Sequence, residues 1–403
     1  MNRSRLLFLS LSFLLVLPLI TFSLTAKDGE EGEGEPDSLF KHLSVFTDVL
    51  GLIRSAYVEV PEDPVLMAGA LDGATDALDP FSVYVPAADV EAYSEARRVG
   101  YRRSGLVLLR ERGVVFVVGV VEGSPAAEAG VRPGDVVSAI QGEETRLTPL
   151  WAVQRVLTGE PGSEVRLKVL RAGTTEEKVF KLRDFVAPGP VLRDVDGVAI
   201  LKLHYVNART REEVEPILTR LADSQDKLLL DLRGVAGGDA EAAYRVASLF
   251  TDGELGVLRN KEGDLVTFRG APPKWHGRLA VLIDRGTLGA AEVLVAVLHQ
   301  KLGAELVGEP TFGFAGRVRR IPLNAGGDLW LTDAFYTGPD REPLNESQEP
   351  EVRVASRRRD LTPAPEAAEG AAEKEPEEDA AVREGVKLLL EEKVEEEDAQ
   401  QVA

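Results

Sequence analysis

Between residues 194 and 307 the chain repeats one pattern. Short, largely apolar runs at 198–203, 228–232, 279–283 and 305–307, broken by Lys202, Asp231 and Glu305, alternate with stretches of helical spacing at 209–223, 240–250 and 290–302. In the first of these stretches Val214, Ile217, Leu218 and Leu221 fall on one face. A run that is apolar at every position suits a strand buried on both sides. Strand–helix alternation of this kind leaves few arrangements, and it predicts a mostly parallel sheet covered by helices. Two further runs, 318–323 and 328–335, flank Ala325-Gly326-Gly327 and read as a closing hairpin.

Upstream the texture changes. From residue 100 to 183, β-branched runs at 106–109, 114–121, 136–140, 165–170 and 178–182 alternate with glycine turns, interrupted by helical pieces at 125–129 and 149–157. That is a small β-rich module. Ahead of it, Leu39, Leu43, Phe46, Leu50 and Ile53 share a helical face. A second helix is expected over 65–78, with Leu66, Ala70 and Leu71 inward, and is broken at Asp79-Pro80. A third is expected over 88–96. The chain thus reads as an α/β multidomain protein with a leading segment 1–26, an acidic spacer 27–37, a helical region 38–98, the β-rich module 99–183 and an α/β core 184–360. An acidic tail, 361–403, carries a possible helix at 380–392.

Charge and residue usage exclude several classes. The net charge of −20 opposes a nucleic-acid partner, since nothing offsets phosphate repulsion. The absence of cysteine removes disulfides, thiol catalysis and thiolate metal sites. His42, His204, His276 and His299 do not lie at metal-ligand spacing, so no metal and no cofactor is expected. Arg3 and Arg5 precede an apolar run at 6–24, the pattern of a signal peptide or a membrane anchor. The remainder is expected outside the cytoplasm, in the periplasm or on the outer face of the inner membrane, with N-terminal membrane association.

The stretch Gly123-Ser-Pro-Ala-Ala-Glu-Ala-Gly-Val-Arg-Pro-Gly-Asp135 resembles the central segment of PDZ domains, in the circularly permuted bacterial order. The resemblance spans about 99–183. Such modules take a peptide as an added strand and meet its terminal carboxylate with backbone N–H groups. The loop Ser104-Gly105-Leu106-Val107 would receive the carboxylate, Arg102 and Arg103 would attract it, and Val153 and Val156 would line the side-chain pocket.

Four stretches taken in order resemble the carboxyl-terminal processing, or tail-specific, serine peptidases. They are Phe46-Thr-Asp-Val-Leu-Gly51 with Gly69 to Pro86; Leu228 to Asp239, reading LLLDLRGVAGGD; Val281 to Gln300; and Leu306 to Val318. The resemblance implies a serine nucleophile, a lysine base and a glutamine. Counted onto this chain those positions are Gly289, Phe314 and Val318. The implied oxyanion hole falls on Gly237, Gly238 and the N–H of Ala290. Glycine has nothing to attack with and phenylalanine accepts no proton, so the family chemistry lacks its parts.

One hydroxyl remains in the turn. Thr287 stands two residues before the nucleophile position, with Lys301 the nearest lysine in sequence; it is also a residue type that caps a helix. Three readings follow. The first is a degenerate relative that binds unfolded polypeptides or protein C-termini, or partners an active peptidase relative. The second is an active peptidase using Thr287, and the third is a structural envelope protein.

Overall fold

A computed structural model describes residues 36–59, 62–111, 113–146, 148–324, 326–354 and 379–391. The leading segment 1–26, nearly all of the spacer, Ala325 and most of the acidic tail lie outside the described residues. Among the described residues no helix is long and apolar enough to cross a membrane.

The chain divides after Met67. The first unit holds helix α1 (Pro36–Ala56) and the opening of α2 (Asp63–Asp76). Leu43 and Phe46, on the shared apolar face of α1, are exposed, and Phe40 and Leu52 are more exposed still. Periodicity sets which residues share a face; it does not supply the surface that covers them.

The second unit opens with the remainder of α2 and continues with strand β1 (Val83–Val85), inside the stretch read only as a helix break. The Asp79 carboxylate accepts from the N–H of Phe81 and of Ser82, both at 2.7 Å, turning the chain out of the helix. Helix α3 (Val90–Val99) follows. The β-rich module then runs β2 (Leu106–Glu111), β3 (Val114–Val120), α4 (Pro125–Glu128), β4 (Val136–Ile140), β5 (Glu143–Glu144), α5 (Leu150–Leu157), β6 (Glu164–Arg171) and β7 (Thr174–Lys181). Its sheet order is β2-β3-β4-β6-β7, with β5 against β4, so β2 is an edge strand. Alternate residues Val165, Leu167 and Val169 point inward, as a half-buried strand requires.

The core opens with the hairpin β8 (Val191–Val195) and β9 (Val198–Lys202), joined at Asp196 (φ 52°) and Gly197 (φ 79°). An Asp-Gly pair in that conformation matches the twist of the flanking strands. Next come α6 (Thr210–Leu221), β10 (Lys227–Asp231), α7 (Ala240–Ala247) and the hairpin β11 (Gly253–Asn260) with β12 (Gly263–Gly270). Then follow β13 (Arg278–Ile283), α8 (Ala290–Leu302), β14 (Glu305–Gly308), β15 (Gly316–Pro322), β16 (Asp328–Tyr336), β17 (Val352–Arg353) and α9 (Ala380–Leu390).

The main sheet has the order β17-β14-β13-β10-β9-β8 and is parallel except for the edge strand β8. Its two faces divide the strand residues between them. Leu201, Leu228, Leu230, Val281 and Ile283 pack with α6, α7 and α8. Ile200, Leu229, Ala280, Leu282 and Val307 pack with Ala381, Val382, Val386 and Leu389 of α9. The helix at the edge of the acidic tail is therefore the second cover of the sheet. A Cβ on Gly385 would lie 2.7 Å from Leu229 Cδ1, so glycine sets how closely α9 approaches. The Arg278 guanidinium donates to the carbonyls of Leu388 and Leu389 at its C-terminal end, each at 3.0 Å.

A second, antiparallel sheet in the order β1-β16-β11-β12, with β15 on β16, adds to the mostly parallel core that the sequence predicts. The hairpin β15–β16 lies where expected. The hairpin β11–β12 falls in a stretch to which apolar periodicity assigns nothing, because β12 is largely exposed.

Candidate functional site

The carboxyl ends of β9, β10 and β13 converge on a single edge. Asp284 and Thr287 turn the chain from β13 into α8, and this turn is laced to the loop after β10. The Asp284 Oδ1 accepts from the N–H of Gly234 and of Gly286, both at 2.9 Å. Leu288 N–H donates to the Val235 carbonyl at 3.1 Å. Gly286 itself has no room for a side chain, since a Cβ there would stand 2.8 Å from the Cα of Gly234.

Gly289 is the N-cap of α8, with φ 66° and ψ −109°. This is the sharp, strained strand-to-helix conformation of a nucleophile elbow. The space for a side chain is open: the nearest atom to a Cβ built on Gly289 is the Phe314 carbonyl oxygen at 4.0 Å. The turn thus has the backbone geometry of such an elbow, with a glycine at its N-cap.

Glu292, one turn into α8, is 1% exposed and holds the elbow. Its Oε2 accepts from the N–H of Gly289 and of Phe314, each at 2.9 Å. Its Oε1 accepts from the Thr311 hydroxyl at 2.7 Å and from the N–H of Gly313. Burial pushes this carboxyl above the ordinary glutamate value, and those four donors pull against it. The signal in the sequence was a lone acid opening an otherwise apolar helix, Ala290-Ala-Glu-Val-Leu-Val295.

Phe314 is 8% exposed. Its ring stacks on Phe81 at 4.2 Å and meets Phe335 edge-on at 5.3 Å. Leu109 and Val118 of the β-rich module and Leu288 of the elbow complete the cluster. A hydrocarbon seam thus occupies the place implied for an amine. Val318 lies on β15, half-buried, beside a register shift at Arg317.

Thr287 is fully buried. Its Oγ1 accepts from Asp284 N–H at 3.0 Å and donates towards the Leu232 carbonyl at 3.1 Å, with the Asp284 carboxylate at 3.3 Å. The hydroxyl closes the turn and has no open face for a substrate. Nor does it cap α8, because the N-cap is Gly289. Lys301 lies in the last turn of α8, far along the helix from Thr287.

The implied oxyanion positions do come together. Gly237 and Gly238 have φ of 80° and 110°. A Cβ on Gly238 would stand 3.3 Å from the Ala290 Cβ and 2.3 Å from the Val206 carbonyl oxygen, so only glycine lets this loop reach the start of α8. Below them sits a charged trio. Asp231 is met by Arg233 at 2.7 Å and by Lys202 Nζ at 3.2 Å. Burial raises its carboxyl, but the Arg233 bonds and the Lys202 charge outweigh burial and hold it at about 2.

In the β-rich module the implied carboxylate loop faces its own chain. Gly105 has φ 81°, and its N–H donates to the Tyr101 carbonyl at 2.7 Å; Leu106 N–H lies 3.3 Å from the Ser104 hydroxyl. Ser104 and Leu106 are buried and Val107 is half-buried. Arg102 reaches the carbonyls of Arg98 and Val99 at the end of α3. Arg103 reaches those of Thr158 and Gly159 beyond α5, at 2.9 and 2.8 Å. Both arginines therefore cap chain ends. Val153 is fully buried among Leu106, Leu108 and Leu157, a core residue in place of the expected pocket wall; Val156 packs half-buried against the same cluster.

A profile of peptidase family S41 matches residues 197–354, and a PDZ domain profile matches residues 116–171. The chain carries an S41 peptidase domain and a PDZ domain. It is similar to a carboxy-terminal-processing protease of Bartonella bacilliformis, 28% identical over 74% of this chain and 72% of that one. It is also similar to the carboxy-terminal processing protease CtpA of Bacillus subtilis, 25% identical over 87% of this chain and 77% of the relative. In fold it is similar to a photosystem II D1 C-terminal processing protease, with a TM-score of 0.64 at 22% identity over 76% of this chain and 86% of the other. The elbow stands in the S41 domain, on the edge formed by the carboxyl ends of β9, β10 and β13. The PDZ domain abuts that edge through β3, where Gly119 would place a Cβ 2.7 Å from the Ala236 Cβ.

Proposed function

We propose that this chain is an exported, catalytically degenerate relative of the C-terminal processing peptidases, one that holds polypeptides or protein C-termini through its PDZ domain without cutting them. One observation carries the reading: an elbow of retained geometry presents Gly289, and Phe314, in the base position, is sealed in an aromatic cluster. Acyl transfer needs a nucleophile whose proton a neighbouring base removes. Loss of such a pair lowers the rate by on the order of 10⁶-fold in a comparable serine protease. The buried, hydrogen-bonded Thr287 speaks against a relocated nucleophile. Resemblance to active peptidases supplies a fold and no reacting group.

The apolar run at 6–24 behind two arginines supports a reading of export and N-terminal membrane association, with the folded part in the periplasm or on the outer face of the inner membrane. The ligand enters by strand addition along the edge of β2 beside α5. An active relative is a natural partner for a binder of this kind.

The test pairs two assays. Protein lacking residues 1–35 is incubated with unfolded substrates bearing free C-termini and with a hydroxyl-directed covalent inhibitor. No cleavage and no stoichiometric labelling are expected; labelling at any hydroxyl ends the reading. Binding is then measured against a library of C-terminal peptides in free and amidated form. Weaker binding of the amidated set supports carboxylate recognition. Absence of binding in both sets leaves a structural role in the envelope.

A further inference from the structure

We propose that protonation of His204 releases the PDZ domain from the S41 domain, making the contact between them a pH-sensitive latch. The inference does not depend on whether the elbow is catalytically dead.

His204 follows β9 at the sheet edge and turns toward the PDZ domain. Its side chain is 8% exposed, with Nδ1 3.5 Å from the Glu122 carboxylate in the turn after β3. Its Nε2 is buried with no hydrogen-bond partner. That turn belongs to the neighbourhood of the implied carboxylate loop, because Val121 N–H donates to the Gly105 carbonyl at 2.8 Å. The contact therefore sits where the S41 sheet edge meets the ligand-receiving end of the PDZ domain.

Three charged groups face the imidazole. Glu122 is 74% exposed, so water screens most of its attraction. Lys202, two residues back on β9, repels a protonated ring. Asp231 on β10 attracts it weakly, since Lys202 and Arg233 already neutralise that carboxylate. The remaining polar neighbour, Tyr205, gives its hydroxyl to Glu213 at 2.9 Å. A charged imidazole in the closed contact would carry two N–H donors, one of them facing no acceptor. Moving the PDZ domain away gives that donor water.

Burial and the Lys202 charge accordingly hold the imidazole below its ordinary value, against the pull of Glu122 and Asp231. The sign follows. A histidine depressed in the closed state contributes its full share above the ordinary imidazole value, and that share is lost as the pH falls through the depressed value.

The chain has no cysteine, so two introduced thiols label cleanly. Lys168→Cys on β6 and Lys261→Cys in the β11–β12 turn, both exposed, carry a fluorophore pair on the otherwise full chain. Energy transfer is followed from about pH 8 to about pH 5, the range in which histidine titrates, with far-UV circular dichroism alongside. Transfer is expected to change with a midpoint below about 6.5 while circular dichroism stays constant. His204→Phe and His204→Gln should abolish the change. Glu122→Gln, which removes an attraction on the charged ring in the closed contact, should move the midpoint higher. A flat profile in the parent protein overturns the proposal. So does a change that persists in both His204 variants, or one that coincides with loss of circular dichroism.

Discussion

Exchanging Phe314 for lysine tests whether the base position has become part of the packed interior. The ring is 8% exposed, stacked on Phe81 at 4.2 Å and edge-on to Phe335 at 5.3 Å, with Leu109, Val118 and Leu288 around it. Deleting a buried phenylalanine costs about 3–5 kcal/mol in transfer and cavity terms. The lysine stem refills part of that volume, yet its ammonium must either find water or lose its proton, which adds to the cost. Phe314→Lys is therefore expected to lose about 4 kcal/mol, a large fraction of a domain's stability. Gly289→Ser is a different kind of change. Its Cβ meets nothing closer than 4.0 Å, and its cost is the left-handed φ of 66°, about 1–3 kcal/mol. Denaturant unfolding of the two single variants and the double gives each term, and a serine-directed covalent inhibitor reads nucleophilicity. Gly289→Ser should fold and stay unlabelled, because no base stands beside it. The reasoning is refuted if Phe314→Lys costs less than about 1 kcal/mol, the scale of an ordinary surface change, or if Gly289→Ser alone labels stoichiometrically.

Three further outcomes are expected. Thr287→Ala leaves Asp284 N–H without its partner and the Leu232 carbonyl with the Val235 N–H alone, and should cost about 1–3 kcal/mol in unfolding experiments with no change in the proteolysis assay. Leu389→Ala, in the helix that covers the second face of the main sheet, should cost about 2–5 kcal/mol, and a chain ending at residue 354 should expose Ile200, Leu229 and Leu282 and bind a hydrophobic dye. Asp231, held at about 2, contributes stability that is complete above the ordinary aspartate value and is lost as the pH falls towards 2; Asp231→Asn should flatten that acid limb of the stability profile.

The parts of the fold legible in the sequence were those whose burial is two-sided or strictly alternating. Leu279 to Ile283 is apolar at each position, and Leu228 to Leu232 at every position but Asp231, because helices cover both faces. What escaped was set by partners distant in the chain. Strand β1 is short, and its identity rests on pairing with Trp330, Leu329 and Asp328. Strand β8 carried a local signal, the Asp196-Gly197 turn between apolar runs, but its mostly exposed residues hid it. The helix expected at 380–392 is α9, but its acidic flanks gave no sign that Val382, Val386 and Leu389 belong to the interior. At the site, counting placed Gly289 and Phe314, whereas the aromatic neighbours of Phe314 come from three separate parts of the chain. The pairing of Arg102 and Arg103 with backbone carbonyls was equally out of reach, since a lone arginine reads the same whether it caps a helix or awaits an anion.

The elbow's geometry has a physical explanation in Glu292. That carboxylate accepts from the elbow at Gly289 and from the opposing loop at Thr311, Gly313 and Phe314, so a single buried group ties the two segments together. Gln348 extends the tie, donating to the Glu292 carbonyl at 2.9 Å and, through its own N–H, to the Thr311 hydroxyl at 3.0 Å. The donors in this network are buried or half-buried, and a buried one would cost about 1–3 kcal/mol if left unpaired. Relaxing the elbow would break several at once. The strained φ at Gly289 is correspondingly cheap to keep, because glycine occupies that region without a steric penalty. Glutamine at position 292 preserves the shape but presents an NH₂ to donors, so Glu292→Gln should destabilise the protein more than Gly289→Ser does. The opposite order would mean that the elbow is held by its own backbone.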